Sequence, residues 1–426
     1  MRTTTRKAKA GGKAAATARA TTRSAVTETR AIAAGKTSFA SRLIAWQRRH
    51  GRHDLPWQNT ADPYRIWLSE IMLQQTQVTA VLPYYARFLH AFPDLPALAA
   101  APLERVLELW SGLGYYSRAR NLHLCAQRVT DGFGGAFPQD VATLAQLPGI
   151  GRSTAAAIAV FAFGARAPIL DGNVKRVLAR HAGIEGFPGE RKIEVQLWRI
   201  AEERLPDTRL TDERMPDPPI VKGRLSDTIV AKERLPDAHF SGERLPGSRI
   251  AAYTQGLMDL GATVCTRTTP SCSLCPLAAD CVALTTGRVA ELPAPRPKKA
   301  LPQRAVTMLL LVRHEAVLVE RRPPMGIWGG LWSLPELPEH ISAERYCATR
   351  LAARVRTEEP MPAIEHGFTH FRLTITPQPC TVLSRDPGAA EPGLLWLSLM
   401  DAGTAALPAP IKKLLLGLRA PGRSHE

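Results

Sequence analysis

Four cysteines within seventeen residues constrain this chain more than any other feature of it. Cys265, Cys272, Cys275 and Cys281 are separated by six, two and five residues, while Cys125, Cys347 and Cys380 are scattered. Four thiolates in so short a segment can hold a [4Fe–4S] cluster, which is the expected cofactor. Structural zinc sites commonly use two close ligand pairs bracketing a longer loop. Only one close pair is present here, so zinc is the alternative and the cluster the reading the spacing favours. Four protein ligands leave no open iron position for a substrate, so the expected role is structural. An odd number of cysteines, seven in all, clustered in a 426-residue chain is not a secreted disulfide framework and points to a reducing compartment.

No apolar run reaches the roughly 18 residues of a membrane span, and the start of the chain lacks a signal-peptide core. A cytoplasmic protein with no membrane partner is expected. The net charge is +17, and residues 1–36 hold nine of the Lys and Arg against one Glu. They read as a disordered basic tail, with a transit peptide as the alternative. A basic surface favours polyanions such as nucleic acid, although an inert basic surface reads the same way.

From residue 37 to 290 the pattern is helical. Asp62-Pro63 forms a cap and first-turn pair that opens one long amphipathic stretch through Ile66, Glu70, Leu73 and Gln77. Further helices are expected over Leu103–Trp110, Arg118–Val129, Ser153–Phe163 and Asn173–Ala182. The unit Glu203-Arg-Leu-Pro-Asp returns every ten residues as variants beginning at Glu213, Gly223, Glu233 and Glu243. Each unit is too short for a helical repeat and its proline blocks a continuous helix. Residues 203–247 therefore read as a low-complexity insertion looped out of the helical domain. A proline-rich linker is expected at 291–303. After it, over 304–420, β-type runs at Val306–Val312, Ala316–Glu320, Leu373–Ile375 and Leu394–Leu397 mark a separate α+β domain.

Leu147-Pro-Gly149-Ile-Gly151 lies between two helical segments. Such a hairpin can expose backbone N–H groups at a helix N-terminus and bind phosphate without reading sequence; a plain tight connection is the alternative. Asp171, before Gly-Asn at a helix start, has the position of an ordinary N-cap. Glu70 lies in the apolar stretch Trp67-Leu-Ser-Glu-Ile-Met-Leu73, and if buried it would keep a proton near neutral pH. Together the two carboxylates offer a proton donor and an anion. Cleavage of an N-glycosidic bond requires both, as in glycosidases with two unlike carboxylates.

These stretches, with Leu55-Pro-Trp-Gln, Trp67-Leu-Ser-Glu-Ile-Met-Leu-Gln-Gln-Thr-Gln77, Gly112-Leu-Gly-Tyr-Tyr-Ser-Arg-Ala-Arg-Asn121 and Leu170-Asp-Gly-Asn-Val-Lys-Arg-Val-Leu-Ala-Arg180, resemble the MutY-type adenine glycosylases of the helix-hairpin-helix superfamily. The resemblance covers residues 39–290 outside the insertion. It implies that Glu70 protonates adenine N7 and that Asp171 stabilises the sugar cation. It places Gln75, Thr76, Leu113 and Tyr115 where the family enters the duplex and holds the lesion strand, and Trp57 and Gln255 near the adenine pocket. The adenine would be flipped out of the stack. Endonuclease III, a pyrimidine glycosylase and lyase, is the nearest alternative. It carries a nucleophilic lysine after the hairpin, where this chain has Ser153, which cannot form a Schiff base. An inactive iron–sulfur DNA-binding protein is the alternative outside enzymes.

The C-terminal part resembles the Nudix-like module of the same family. Gly330 and Glu336 keep the start of a Nudix box, but its acidic core is replaced by Glu344-Arg-Tyr-Cys-Ala-Thr349, so pyrophosphohydrolysis is not expected. His366-Gly-Phe-Thr-His-Phe371 matches the loop that reads oxidised guanine, through Phe368, Thr369 and His370. The expected protein is a bacterial, monomeric enzyme of base excision repair. Its fold is a mainly α helix-hairpin-helix domain with an iron–sulfur loop plus an α+β Nudix-like domain. It would excise adenine opposite 8-oxoguanine or guanine from double-stranded DNA.

Overall fold

The computed structural model describes residues 38–58, 60–207, 248–297, 300–385 and 393–418. The basic tail and the repeat units after Asp207 lie outside the described residues. Among those described, no helix is long and apolar enough to cross a membrane.

The first half is helical. Asp62 caps the helix Pro63–Leu73 by accepting from Tyr64 N at 2.9 Å, with Pro63 in its first turn. Such a cap contributes about 1 kcal/mol. The expected helices appear as Leu103–Trp110, Ser117–Phe133, Arg152–Phe163 and Gly172–Ala182. One expectation is corrected. The helix that carries Glu70 stops at Leu73 and does not run on through Gln77, because Gln75 takes a left-handed φ of +58°. Gln77 instead begins the next helix, Val78–Ala91.

The N-terminal helix Phe39–His50 packs on the helix Arg249–Asp259, which widens into a π-helical turn, Leu260–Val264, and delivers Cys265. Glu203 ends the helix Arg191–Glu203, and the next three residues depart from the expected looped-out insertion. Leu205 and Pro206 are buried, the Arg204 guanidinium lies 4.6 Å from the Phe39 ring, and Arg166 donates to Pro206 O at 3.2 Å. The first copy of the repeat thus belongs to the folded domain, because its leucine and proline have a core to enter. Leu292, placed by sequence in the linker, is buried too, and its carbonyl accepts from Arg180.

Among the described residues the C-terminal half is built on an eight-stranded sheet. Its strands are β1 Gln303–Arg313, β2 Ala316–Arg321, β3 Trp332–Ser333, β4 Glu336–Leu337, β5 Ala353–Thr357, β6 Ile364–Gly367, β7 Arg372–Arg385 and β8 Leu394–Ser398. The order along the main path is β3-β2-β1-β7-β5. β1 and β7 run parallel from Gln303 opposite Arg372 to Val312 opposite Thr381, and β1 turns antiparallel into β2. Met308 to Leu311 are all buried because both faces of β1 are covered. With side chains alternating between faces, Met308 and Leu310 join the larger core with Val317, Ile375 and Leu107 of the helical half. Leu309 and Leu311 meet Ala343 and Cys347 of the helix Ala343–Arg350 on the other face.

Candidate active site and nucleic-acid interface

Two helix ends bring the carboxylates together. Glu70 sits in the last turns of Pro63–Leu73, and Asp171 is the N-cap of Gly172–Ala182. Both side chains are half-buried. Burial pushes Glu70 up to about 7, and the negative charge of Asp171 adds to the rise. Burial also raises Asp171, but Val174 N donates to its Oδ1 at 2.7 Å, and Asn173 and Arg176 likewise favour the anion. The N-terminal dipole of an 11-residue helix acts in the same direction. Glu70 has no such support: its shift comes from desolvation and from a like charge alone. Although both are raised by burial, the two unlike surroundings make Glu70 the better holder of a proton and Asp171 the better anion of the pair.

Ser153 holds the segment before Asp171, since its Oγ accepts from Leu170 N at 2.9 Å. Gln255 is anchored: its Nε2 donates to Asp259 Oδ1 at 2.9 Å, and Asp259, fully buried, pairs with Arg52 at 2.8 Å. Trp57 is packed into the core, edge-on to Tyr85 with ring centroids 5.2 Å apart, so only its rim is available to a base.

In the hairpin, Leu147 and Ile150 are buried while Gly149 and Gly151 are exposed. Leu147 N is used internally, donating to Leu144 O at 3.1 Å, and Leu147 O accepts from Ile150 N at 3.1 Å. Gly149 has φ +77°, and a Cβ there would come within 2.9 Å of Asn121 Cβ, so the turn admits glycine alone without rearrangement. Gly151 begins the helix Arg152–Phe163 without a side-chain cap, which leaves its first N–H groups open to an anion.

The segments expected to enter the duplex are two adjacent loops. Gln75 and Tyr115 both take positive φ, +58° and +49°. Gln75 is exposed, Tyr115 is 44% exposed, and Leu113 is buried beneath them. Thr76 is joined to the other loop by Arg118, whose Nη2 donates to Thr76 Oγ1 at 3.1 Å and to Gly114 O at 3.3 Å. Burial lowers Arg118 to about 10, which leaves it charged at neutral pH. The sequence reading gave Arg118 no role; an arginine amid the apolar and glycine positions of 110–119 was the signal available.

All four thiols line a single, mostly apolar cavity with Val177, Arg180, Leu260 and Leu277 among its walls. Arg180, nearly fully buried, donates to Cys265 Sγ at 3.4 Å and to the carbonyls of Thr266 and Arg267. Among the described residues no three His, Cys, Asp or Glu side chains are grouped to hold a single metal ion. Arg176 donates to Cys265 O at 2.7 Å and to Asn173 Oδ1 at 2.9 Å, which ties the Asp171 helix to the cysteine loop.

In the C-terminal half, Phe368 N donates to Phe371 O at 2.9 Å, closing a turn that exposes Thr369 and His370. Phe368 itself is half-buried. It stacks on Phe371 at 4.4 Å, and Trp328 lies 5.8 Å away. Trp328, buried at φ +56°, is a support that sequence reasoning missed.

Residues 68–203 match the model of the HhH-GPD superfamily of base excision DNA repair proteins, and 306–417 match the NUDIX domain. The chain is 34% identical over 383 residues to an adenine DNA glycosylase of Buchnera aphidicola (subspecies Acyrthosiphon pisum), covering 88% of this chain and 96% of that protein. It is 32% identical to the adenine DNA glycosylase of Mus musculus, covering 89% and 77% respectively. A solved thermostable thymine-DNA glycosylase aligns with 58% of this chain and 95% of its own, at 25% identity and a TM-score of 0.44. The chain therefore belongs to the adenine DNA glycosylases, hydrolases of DNA repair, with a helical HhH-GPD domain followed by a Nudix-like domain.

Proposed function

We propose that this glycosylase excises adenine mispaired with 8-oxoguanine or with guanine in duplex DNA, as a monofunctional enzyme. The observation that carries the mechanism is the position of Glu70, pushed up to about 7 beside an Asp171 whose carboxylate accepts from Val174 N at the start of its own helix. Glu70 donates its proton to N7 of the flipped adenine. The electrons of the C1′–N9 bond leave with the base, and the Asp171 carboxylate stabilises the oxocarbenium ion that remains. Water then adds to C1′, and the proton it releases returns to a carboxylate of the site. No amine is offered to the sugar by Ser153, whose hydroxyl is engaged with Leu170 N. This favours hydrolysis over a lyase.

Gly149 and Gly151 are assigned to backbone phosphate, with Leu147 shaping the turn. Gln75, Thr76, Leu113 and Tyr115 are assigned to strand entry, and Gln255 and the rim of Trp57 to the adenine pocket. Thr369 and His370, supported by Phe368, are assigned to the oxidised guanine. Four thiols spread around one cavity, with an arginine donor beside one sulfur, fit a [4Fe–4S] cluster on Cys265, Cys272, Cys275 and Cys281. Bound there, the cluster would supply a rigid cross-link to the loop and no step of the hydrolysis. The protein is assigned to the bacterial cytoplasm as a monomer on DNA.

Glu70→Gln tests the mechanism. Single-turnover adenine release should fall by about 10²–10⁴-fold, the usual loss of a positioned acid, with duplex affinity retained. Near-normal release would remove Glu70 from the mechanism.

A further inference from the structure

Arg118 presents an unusual balance of charge. It lies at the start of the helix Ser117–Phe133, 7% exposed, and among the described residues no carboxylate pairs with it. A buried guanidinium without a counter-ion is expensive unless other dipoles replace the lost water. Here those dipoles come from two separate loops. The two N–H groups of Nη1 are shared among Ile71 O at 2.9 Å, Met72 O at 2.7 Å and Gln74 O at 2.7 Å. These are carbonyls at the C-terminus of the Glu70 helix, where the helix dipole favours a cation. Nη2 donates to Thr76 Oγ1, Leu113 O and Gly114 O at 3.1, 3.4 and 3.3 Å. The guanidinium also lies 5.4 Å from the Tyr115 ring and 5.3 Å from that of Trp110.

Each of the loops it joins carries a non-glycine residue at left-handed φ, Gln75 at +58° and Tyr115 at +49°. Gln75, Gly112, Gly114 and Tyr115 all have positive φ. At Gly112, which has positive φ, an added Cβ would run into Tyr84 Oη, so glycine is the residue that fits there unless the tyrosine moves. Strained backbone persists where surrounding contacts over-determine it, and Arg118 is the side chain that contacts both strained turns.

We propose that Arg118 is a positioning residue that locks the two strand-entry loops, 74–76 and 112–115, to one another and to the end of the helix bearing Glu70. Base extrusion and proton delivery then share one frame. The proposal rests on the assignment of Gln75, Thr76, Leu113 and Tyr115 to strand entry. Lysine could replace arginine here only in part. A single ammonium has three donors at one point, whereas the planar fork reaches both loops at once.

The test compares Arg118→Met, Arg118→Lys, Gln75→Ala and Tyr115→Ala in the full-length protein. Two duplexes are used, one with adenine opposite guanine and one with adenine opposite an abasic-site analogue, where extrusion costs less. Arg118→Met should slow single-turnover excision of the paired adenine by about 10²-fold, the usual cost of a misplacement of about 1 Å. It should slow the unpaired adenine by less than about tenfold, with the pH midpoint of the reaction unchanged. Arg118→Lys should show the same split to a smaller degree, and it carries the test if the methionine variant fails to fold. Combining Arg118→Met with Tyr115→Ala should be no slower than the worse single variant, because both remove one device. Equal slowing on the two duplexes, or full additivity, overturns the proposal. Effects from Gln75→Ala and Tyr115→Ala with none from Arg118→Met overturn it alone. Silence of both loop variants overturns the strand-entry assignment and the proposal with it.

Discussion

Glu70 shows how one residue couples function to stability. Its pKa is raised because the folded site disfavours the carboxylate. Below pH 4.5, its ordinary value, the carboxyl is neutral in both folded and unfolded chains and costs the fold nothing. As pH rises from 4.5 towards 7 the unfolded chain releases the proton while the folded one retains it, so stability is lost across that window and levels off above it. Glu70→Gln removes that loss. The variant should melt above wild type at pH 8, and the gap should close as pH falls to 4.5, as followed by thermal denaturation at a series of pH values. A gap independent of pH would mean that the carboxylate is not the strained group. Wild-type excision should instead decline as pH rises through about 7, where folded Glu70 gives up its proton. Glu70 and Asp171 were legible in sequence because a carboxylate inside an apolar run and an Asp before Gly-Asn are both conspicuous. Arg118 was not legible, because its meaning lies in six acceptors contributed by segments up to 47 residues away.

At the level of elements, helices and strands followed from periodicity, and the errors came where tertiary contact decided. Gln75 breaks the Glu70 helix although nothing in Gln-Gln-Thr-Gln forbids helix. The turn is stabilised by Arg118 on its carbonyls, which local sequence cannot show. Leu373–Ile375 grew into the 14-residue β7, because pairing with β1 extends a strand past its apolar centre. The repeat is a similar case. Its first unit supplies Leu205 and Pro206 to the core and stacks Arg204 on Phe39. Deleting 204–243 joins Glu203 to Arg244-Leu-Pro-Gly-Ser248 and so restores one copy of the same four residues, Glu-Arg-Leu-Pro, ahead of the Ser248 cap. That variant should fold, keep its excision activity and melt within about 1–2 kcal/mol of wild type, since loop length costs only about 0.6 kcal/mol per doubling. Deleting 204–247 leaves no copy. It should be less stable by about 2 kcal/mol or more, the usual cost of losing a buried leucine. Equal stability of the two deletions, measured by denaturant melts, would show that the unit contributes nothing.

Across the whole molecule, the two halves are not joined by the linker alone. Arg120 donates to Gly329 O at 2.6 Å, Tyr116 Oη to Leu407 O at 3.3 Å, and Lys412 Nζ to Ser111 Oγ at 2.7 Å. Ser111 and Tyr116 flank the loop 112–115 assigned to strand entry, so the Nudix-like half braces both ends of that loop. Removing the half would therefore strip a mechanical support together with the turn proposed to read the lesion, and would expose the core shared by Leu107 and Leu310. Truncation cannot separate the two, whereas point substitutions can. Lys412→Met withdraws one charged hydrogen bond from Ser111, worth about 1–2 kcal/mol. It should slow excision of adenine opposite 8-oxoguanine and opposite guanine by the same factor, about tenfold at most. Thr369→Ala with His370→Ala leaves that support intact and keeps the Phe368 stack on Phe371. It should slow the 8-oxoguanine duplex selectively and bring the two rates together. The measurement is single-turnover excision on both duplexes with each variant. If Thr369→Ala/His370→Ala slows both substrates equally while Lys412→Met changes their ratio, the assignments of reader and support are reversed.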